Sequence, residues 1–234
     1  MCGRFTQQRP ASELSELFEA ELLVEDPGAR YNVAPTQDAL VVVERDGERR
    51  LTSFRWGLVP AWADGLDIGS RHINARAETI RRSSAFAESF RRRRCLVPVD
   101  GFYEWRTEGR RRQPYLVRRR DGGPLVLAGL WASWRPRDGS HVVRSFAIVT
   151  TAPNDLIATL HDRMPVLLAP TSWRRWLDTR AGDAQGLEEL LEPSVSDELE
   201  LVAVSTLVND VRNEGPELLS PPAAEQLTVP VESR

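Results

Sequence analysis

The sequence predicts an α+β fold: a single domain with a strongly curved antiparallel sheet or barrel-like core and short peripheral helices. Three observations lead there. The chain has 234 residues, enough for one large domain that buries a substantial core. Its composition, 41% apolar and 28% charged, is that of a globular protein and excludes global disorder. Its middle third carries strand-like runs joined by short Gly-containing turns, the pattern of an antiparallel meander. No internal repeat or low-complexity linker divides the chain. Residues 1–222 are therefore read as the domain, and residues 223–234, which lack periodicity, as a loosely ordered tail.

Taken in order, Pro10–Glu21 is predicted as a first helix. Ser12 is its expected N-cap, and Leu14, Leu17, Phe18 and Leu22 recur at helical spacing. ALVVVE (Ala39–Glu44) and RLTSFRW (Arg50–Trp56) flank Asp46-Gly47, a strong hairpin signal. Residues 76–90 read as one or two short helices. Four strands follow: CLVPVDGFYEW (Cys95–Trp105), PYLVR, PLVLAGLWASW and VVRSFAIVTT, with turns at Glu108-Gly109, Asp121-Gly122-Gly123 and Asp138-Gly139. Asn154–Leu160 and Ser172–Leu177 are expected helices. MPVLLA (Met164–Ala169) and LELVAV (Leu199–Val204) are positioned to rejoin the sheet.

All 31 basic residues are arginine, and the formal net charge is -3. That charge argues against a general duplex-DNA coat while leaving room for a local basic groove. No apolar run approaches the ~20 residues of a membrane span, and the N-terminus has no secretory h-region, so a cytoplasmic protein is expected. Its two cysteines, Cys2 and Cys95, make no disulfide framework. Cys95 opens an apolar strand and reads as a core thiol. The arginine runs 91–94, 110–112 and 118–120 read as solvated surface.

The usual sites are missing. There is no C-x-x-C and no H-E-x-x-H, so no metal is expected; no Walker loop and no G-x-G-x-x-G, so no nucleotide cofactor is expected; and no G-x-S-x-G, which argues against an α/β-hydrolase. What stands out is Cys2, directly after the initiator methionine. With Met1 removed, Cys2 is a 1,2-aminothiol. Its amine condenses with an aldehyde to an imine, and its thiol then closes a five-membered thiazolidine. An α-amine titrates at about 7.7–8.0, so roughly a tenth of it is free base at neutral pH. No lysine amine competes with it.

The terminus does not stand alone. MCGRF, RYNVAPT (Arg30–Thr36), WGLVPAW (Trp56–Trp62), INARAET (Ile73–Thr79), PVDGFYEW (Pro98–Trp105) and LHDRMPV (Leu160–Val166) occur in that order, and VNDVRNEGPELL (Val208–Leu219) extends the set. Together they closely resemble the SOS-response-associated peptidase (SRAP) family, whose members crosslink to abasic sites in single-stranded DNA. The resemblance makes residues 1–222 a SRAP-like domain. It implies that Cys2 attacks the ring-opened sugar aldehyde and that Asn74 holds the amine or the sugar. Glu104 would act as a general acid and base on a carboxyl whose pKa burial has raised, and His161 would deprotonate the thiol or steady the ring. Read without the resemblance, Asn74 closes a turn, Glu104 points to solvent from an edge strand, and His161 ends a helix.

Arg4, Arg76 and Arg163 neighbour Cys2, Asn74 and His161 in sequence, so convergence of the three would gather the arginines into a phosphate-binding rim. Asn32 would add a polar contact, and Trp62 would stack on a base or block the adjoining duplex strand. His72 is taken as a site neighbour and His141 as turn surface. The expected partner is single-stranded DNA carrying abasic sites, bound by a monomer. Two rivals remain open: an N-terminal-cysteine peptidase that processes itself, and a non-covalent module for single-stranded or modified DNA. β-Elimination of the abasic strand would be a lyase side branch.

Overall fold

The structure, a computed structural model, describes residues 2–109, 111–180, 184 and 186–222. The expected tail, 223–234, and the first arginine of the run 110–112 lie outside them. The chain enters through β1 (Phe5–Gln7) and α1 (Ala11–Phe18), then lays down β2 (Ala20–Leu22), β3 (Arg30–Val33), β4 (Asp38–Arg45) and β5 (Glu48–Trp56). β6 (Asn74–Arg76) and α2 (Ala87–Arg92) lead into the long strands β7 (Arg94–Val99), β8 (Gly101–Glu108), β9 (Arg111–Arg119), β10 (Leu125–Trp134) and β11 (Val143–Thr151). α3 (Asp155–Ala158), β12 (Met164–Pro165), α4 (Pro170–Leu177) and β13 (Leu199–Ala203) complete the order, with 3-10 turns between.

Two sheets result. One runs β13-β9-β8-β1-β3. In the other, β5, β4, β7, β10 and β11 are neighbours in that order, and a parallel pairing of β11 with β5 (Phe146 opposite Trp56) closes them into a barrel. Most pairings are antiparallel, as the short turns require. β2 on β5 and β6 on β11 are further parallel contacts. The hairpin at Asp46-Gly47 forms as expected, with φ of 57° and 83°, the left-handed pair of a type I′ turn.

The α+β class with a barrel-like core is therefore observed, but the single meander is not. The run Cys95–Trp105 is two strands in two sheets: β7 pairs with β10 and β4, while β8 pairs with β9 and β1. The break falls at Asp100-Gly101. The Asp100 carboxylate accepts from the backbone N–H groups of Gln8 and Arg9. A Cβ on Gly101 would lie 2.7 Å from Val117 O, so only glycine lets β8 cross β9 this closely.

Local corrections have equally local causes. α1 stops at Phe18 because Glu19 turns left-handed (φ 49°), freeing Ala20–Leu22 for β2. Its start is capped by the Asp26 carboxylate accepting from Ala11 N–H at 3.1 Å, and no side chain caps it from within, Ser12 included. Leu14 and Phe18 are buried, whereas Leu17 and Leu22 are exposed. Arg94 is buried rather than solvated. Its guanidinium donates to the carbonyls of Phe90, Arg91, Trp176 and Asp178, tying the ends of α2 and α4 together.

The helices pack on the barrel's outer face, around Leu40, Leu96, Ala128, Leu130 and Val149. The inner face, with Val41, Trp56, Cys95, Val97, Phe146 and Ile148, shares its cluster with Phe5, Phe102 and Val117 of the other sheet. Cys95 is the buried core thiol expected of it, and Cys2 lies in the same cluster. The segment around Val204, Val208 and Leu218 covers the far face of the five-stranded sheet over Tyr103 and Leu116. Among the described residues no helix is long and apolar enough to cross a membrane.

Candidate nucleic-acid and catalytic site

β6 is only three residues long and is held by its surroundings. Asn74, Ala75 and Arg76 pair in parallel with Ile148, Val149 and Thr150 of β11. Just upstream, Ile73 O accepts from Trp56 Nε1 and from Ile148 N–H, each at 3.0 Å. The loop feeding β6 folds back so tightly that a Cβ on Gly57 (φ 118°) would lie 2.6 Å from Gly69 O. That close approach sets where Asn74 emerges.

Asn74 Nδ2 donates to Cys2 O at 2.8 Å. Its Oδ1 is buried and has no hydrogen-bond partner among the described residues. A buried amide oxygen left this way costs free energy and is an acceptor ready for an incoming N–H or O–H. Cys2 is fully buried. Burial and then the charge of Glu104 push its thiol well above the ordinary range, while the amino terminus and the Arg4 backbone N–H pull the other way. A thiol this high is a proton carrier until a base takes the proton.

β8 supplies the carboxyl. Phe102 joins the inner cluster and Tyr103 the cluster under the 204–218 segment, so alternation turns Glu104 back toward Cys2 and away from the aromatics that flank it in sequence. Glu104 is 3% exposed. Burial raises its pKa, opposed by the positive charges of the amino terminus, His161 and Arg112. His161 follows α3, its N–H donating to Ile157 O at 2.9 Å. Its Nδ1 is 3.1 Å from Arg163 N and 2.7 Å from Asp162 Oδ1. One nitrogen cannot serve both at once: without a proton, Nδ1 accepts from Arg163 N–H; with one, in either the neutral tautomer or the imidazolium, it donates to Asp162. Contact joins Asn74 to Cys2, and charge couples Cys2 to Glu104 and Glu104 to His161.

The expected rim divides. Arg76 and Trp62 are exposed, Trp62 with Nε1 donating to Ser84 O at 3.2 Å. Arg163 is mostly covered. It makes a two-pronged ion pair with Glu78 (2.5 and 2.9 Å) and donates to Thr150 O at 2.7 Å. Arg4 and Asn32 do not sit on an open rim. Arg4 Nη1 donates to Asn32 Oδ1 (2.6 Å) and Val208 O (2.9 Å), and Asn32 Nδ2 donates to the carbonyls of Asp210 and Asn213. Both are buried, clamping the 208–213 segment against β1 and β3. His72 stands edge-on to Phe86 at 5.4 Å, and His141 is exposed in its turn.

Three neighbours are not evident from the sequence. Glu78 stands inside the INARAET block, two residues past Arg76. Arg112 is hidden in a run that reads as surface, although its charge bears on Glu104. Thr150 is fully buried, its hydroxyl has no hydrogen-bond partner among the described residues, and it stands at the register of Arg76. Among the described residues no three His, Cys, Asp or Glu side chains are grouped to hold a metal ion. Surface cavities of about 700, 540 and 490 Å³ are lined by none of Cys2, Asn74, Glu104 and His161.

A family model described as SOS response associated peptidase (SRAP) matches residues 1–211. Abasic site processing protein YoqW of Bacillus subtilis is 36% identical over 222 residues, covering 94% of this chain and 99% of its own. Abasic site processing protein YedK of Escherichia coli is 32% identical over 227 residues, covering 94% of this chain and all of its own length (100%). Among solved structures, a Bacteroides thetaiotaomicron protein superposes with a TM-score of 0.81 at 22% identity, covering 94% of this chain and 99% of that one.

Proposed function

The chain belongs to the SOS response associated peptidase (SRAP) family, and from that premise we propose that it processes abasic sites in single-stranded DNA by a covalent crosslink through Cys2. The observation that carries the proposal is the convergence on Cys2: an amide at its carbonyl, and a buried carboxyl whose charge is felt at its thiol. Relatives bearing the name abasic site processing protein support the substrate.

Once Met1 is removed, the Cys2 amine adds to the aldehyde carbon of the ring-opened deoxyribose, giving a carbinolamine. Burial raises the Glu104 pKa, which favours its protonated form as the donor to the departing hydroxyl. One water leaves and an imine forms. The Cys2 sulfur then adds to the imine carbon, and the proton lost from the thiol ends on nitrogen by way of Glu104 or His161. The thiazolidine is an isomer of the imine, so no further atom is lost. Asn74, fixed by its bond to Cys2 O, offers its free Oδ1 to the amine or to a sugar hydroxyl. Each turnover consumes one protein unless the ring reopens, and the same proton groups would serve that reversal.

The test is an incubation with a single-stranded oligonucleotide carrying one abasic site. The wild-type protein is expected to give a shifted band that survives heating, and Cys2→Ala to lose it, because alanine has no sulfur to close the ring. An equally heat-stable band from Cys2→Ala would sink the proposal.

A further inference from the structure

Arg163 and Arg76 both direct their charge at one carboxylate. Glu78 receives two hydrogen bonds from the Arg163 guanidinium, and Arg76 bears on it as well. Together they hold its carboxyl below the usual carboxylate range. Planar, two-pronged pairing with arginine is the geometry by which a phosphate oxygen pair is also bound. The burial is uneven: the Glu78 side chain is 53% exposed and that of Arg163 is 15% exposed. A phosphate arriving from solvent therefore meets the carboxylate before it meets the guanidinium. Meanwhile the bond from Arg163 Nη2 to Thr150 O keeps the guanidinium oriented when its outer partner changes.

We infer that Glu78 is a specificity-determining residue, a built-in carboxylate competitor that occupies Arg163 until a DNA phosphate displaces it. This rests on the crosslinking function proposed above. An undamaged strand must displace Glu78 for a phosphate contact alone. A strand with an abasic site does so while also gaining a covalent bond at Cys2. The exchange thus lowers affinity for ordinary single strands and leaves capture of the lesion to the chemistry.

The measurement is fluorescence anisotropy of an undamaged single-stranded oligonucleotide, titrated at several salt concentrations with wild type, Glu78→Gln, Arg163→Ala and the double variant. Glu78→Gln keeps the side chain's shape and removes its charge. Binding about two- to five-fold tighter is expected, the size of one exposed ion pair. The salt slope should steepen by about 0.7, one added phosphate contact on a single strand. In the Arg163→Ala background the same change should yield a clearly smaller gain. If Glu78→Gln binds undamaged DNA equally well or more weakly, Glu78 merely holds Arg163 in place and the inference is overturned. Heat-stable adduct formation on an abasic oligonucleotide, scored with the same wild-type sample, reports separately on the crosslinking function.

Discussion

A carboxyl buried beside a thiol keeps its proton at a pH where exposed glutamates have lost theirs, and Glu104 is in that position. Its raised folded-state pKa means that ionising Glu104 costs more in the folded protein than in the unfolded one. The cost is absent below the ordinary carboxylate range, grows as pH rises through it, and is complete above the raised value. Glu104→Gln should therefore match wild type in thermal melts near pH 4 and melt higher near pH 8. It should also lose about a hundredfold in crosslinking rate, the contribution of a positioned acid and base. A variant that melts lower than wild type at pH 8 would show that Glu104 gains more from its positive neighbours than burial takes away.

At this scale the sequence is informative where chemistry is carried in short blocks. Cys2, Asn74, Glu104 and His161 lie in separate motifs and meet in space, which their spacing alone does not reveal. Arg4 reads as a rim residue because it neighbours Cys2 in sequence, and Asn32 as a polar contact beside it. Their burial comes from the 208–213 segment, more than 170 residues away in sequence (|i−j| of 178 for the Asn32–Asp210 bond). Glu78 draws no notice in the sequence, because an exposed glutamate after an arginine has the ordinary look of solvated surface.

Among the elements, the shortest matter most to the site. β6 has no hairpin partner and survives by parallel pairing on β11, guided there by the loop from Gly57 to Arg71. Gly57 combines a left-handed φ of 118° with a backbone oxygen 2.6 Å from its absent Cβ. Gly57→Ala should lower stability by about 2–3 kcal/mol, or roughly 5–10 °C in Tm for a chain this size, and slow crosslinking further by shifting Asn74. Gly65→Ala, where nothing lies within 4 Å and φ is extended, should stay within ~0.5 kcal/mol. Equal melting temperatures for the two variants would contradict this account of the loop.

The strands with tight turns are legible element by element: Asp46-Gly47 places β4 and β5 almost to the residue. The split of Cys95–Trp105 is signalled as well, because its middle dipeptide, Asp100-Gly101, is itself a turn signal. Periodicity outweighs it, since an apolar run continues on both sides of the break. Parallel pairings carry no local signature, as their partners lie far apart in sequence. β2, β6 and the β5–β11 pairing that closes the barrel are invisible for that reason.

Viewed whole, the molecule is a closed barrel with a second sheet stacked on it, and Cys2 sits in the apolar cluster the two share. Such a setting suits a reaction that must exclude water from an imine, since hydrolysis would return the aldehyde. The net charge of -3 gives no broad attraction for DNA. On the function proposed above, affinity comes from a few placed arginines and selectivity from the aldehyde. Length, composition and turn-punctuated strand runs point to the class and size of this body, and the ordered motifs point to its family. The stacking of two sheets depends on contacts between residues far apart along the chain, which no window of sequence displays.

The central claim is that the bond to DNA is a thiazolidine on Cys2. Intact mass of the purified protein, measured after exposure to an abasic oligonucleotide with and without borohydride, tests it most directly. The predicted species has the mass of the chain lacking Met1 plus the oligonucleotide minus one water, and borohydride leaves it unchanged because no C=N bond remains. An adduct that retains Met1, or one that gains two hydrogens on reduction, would contradict the claim.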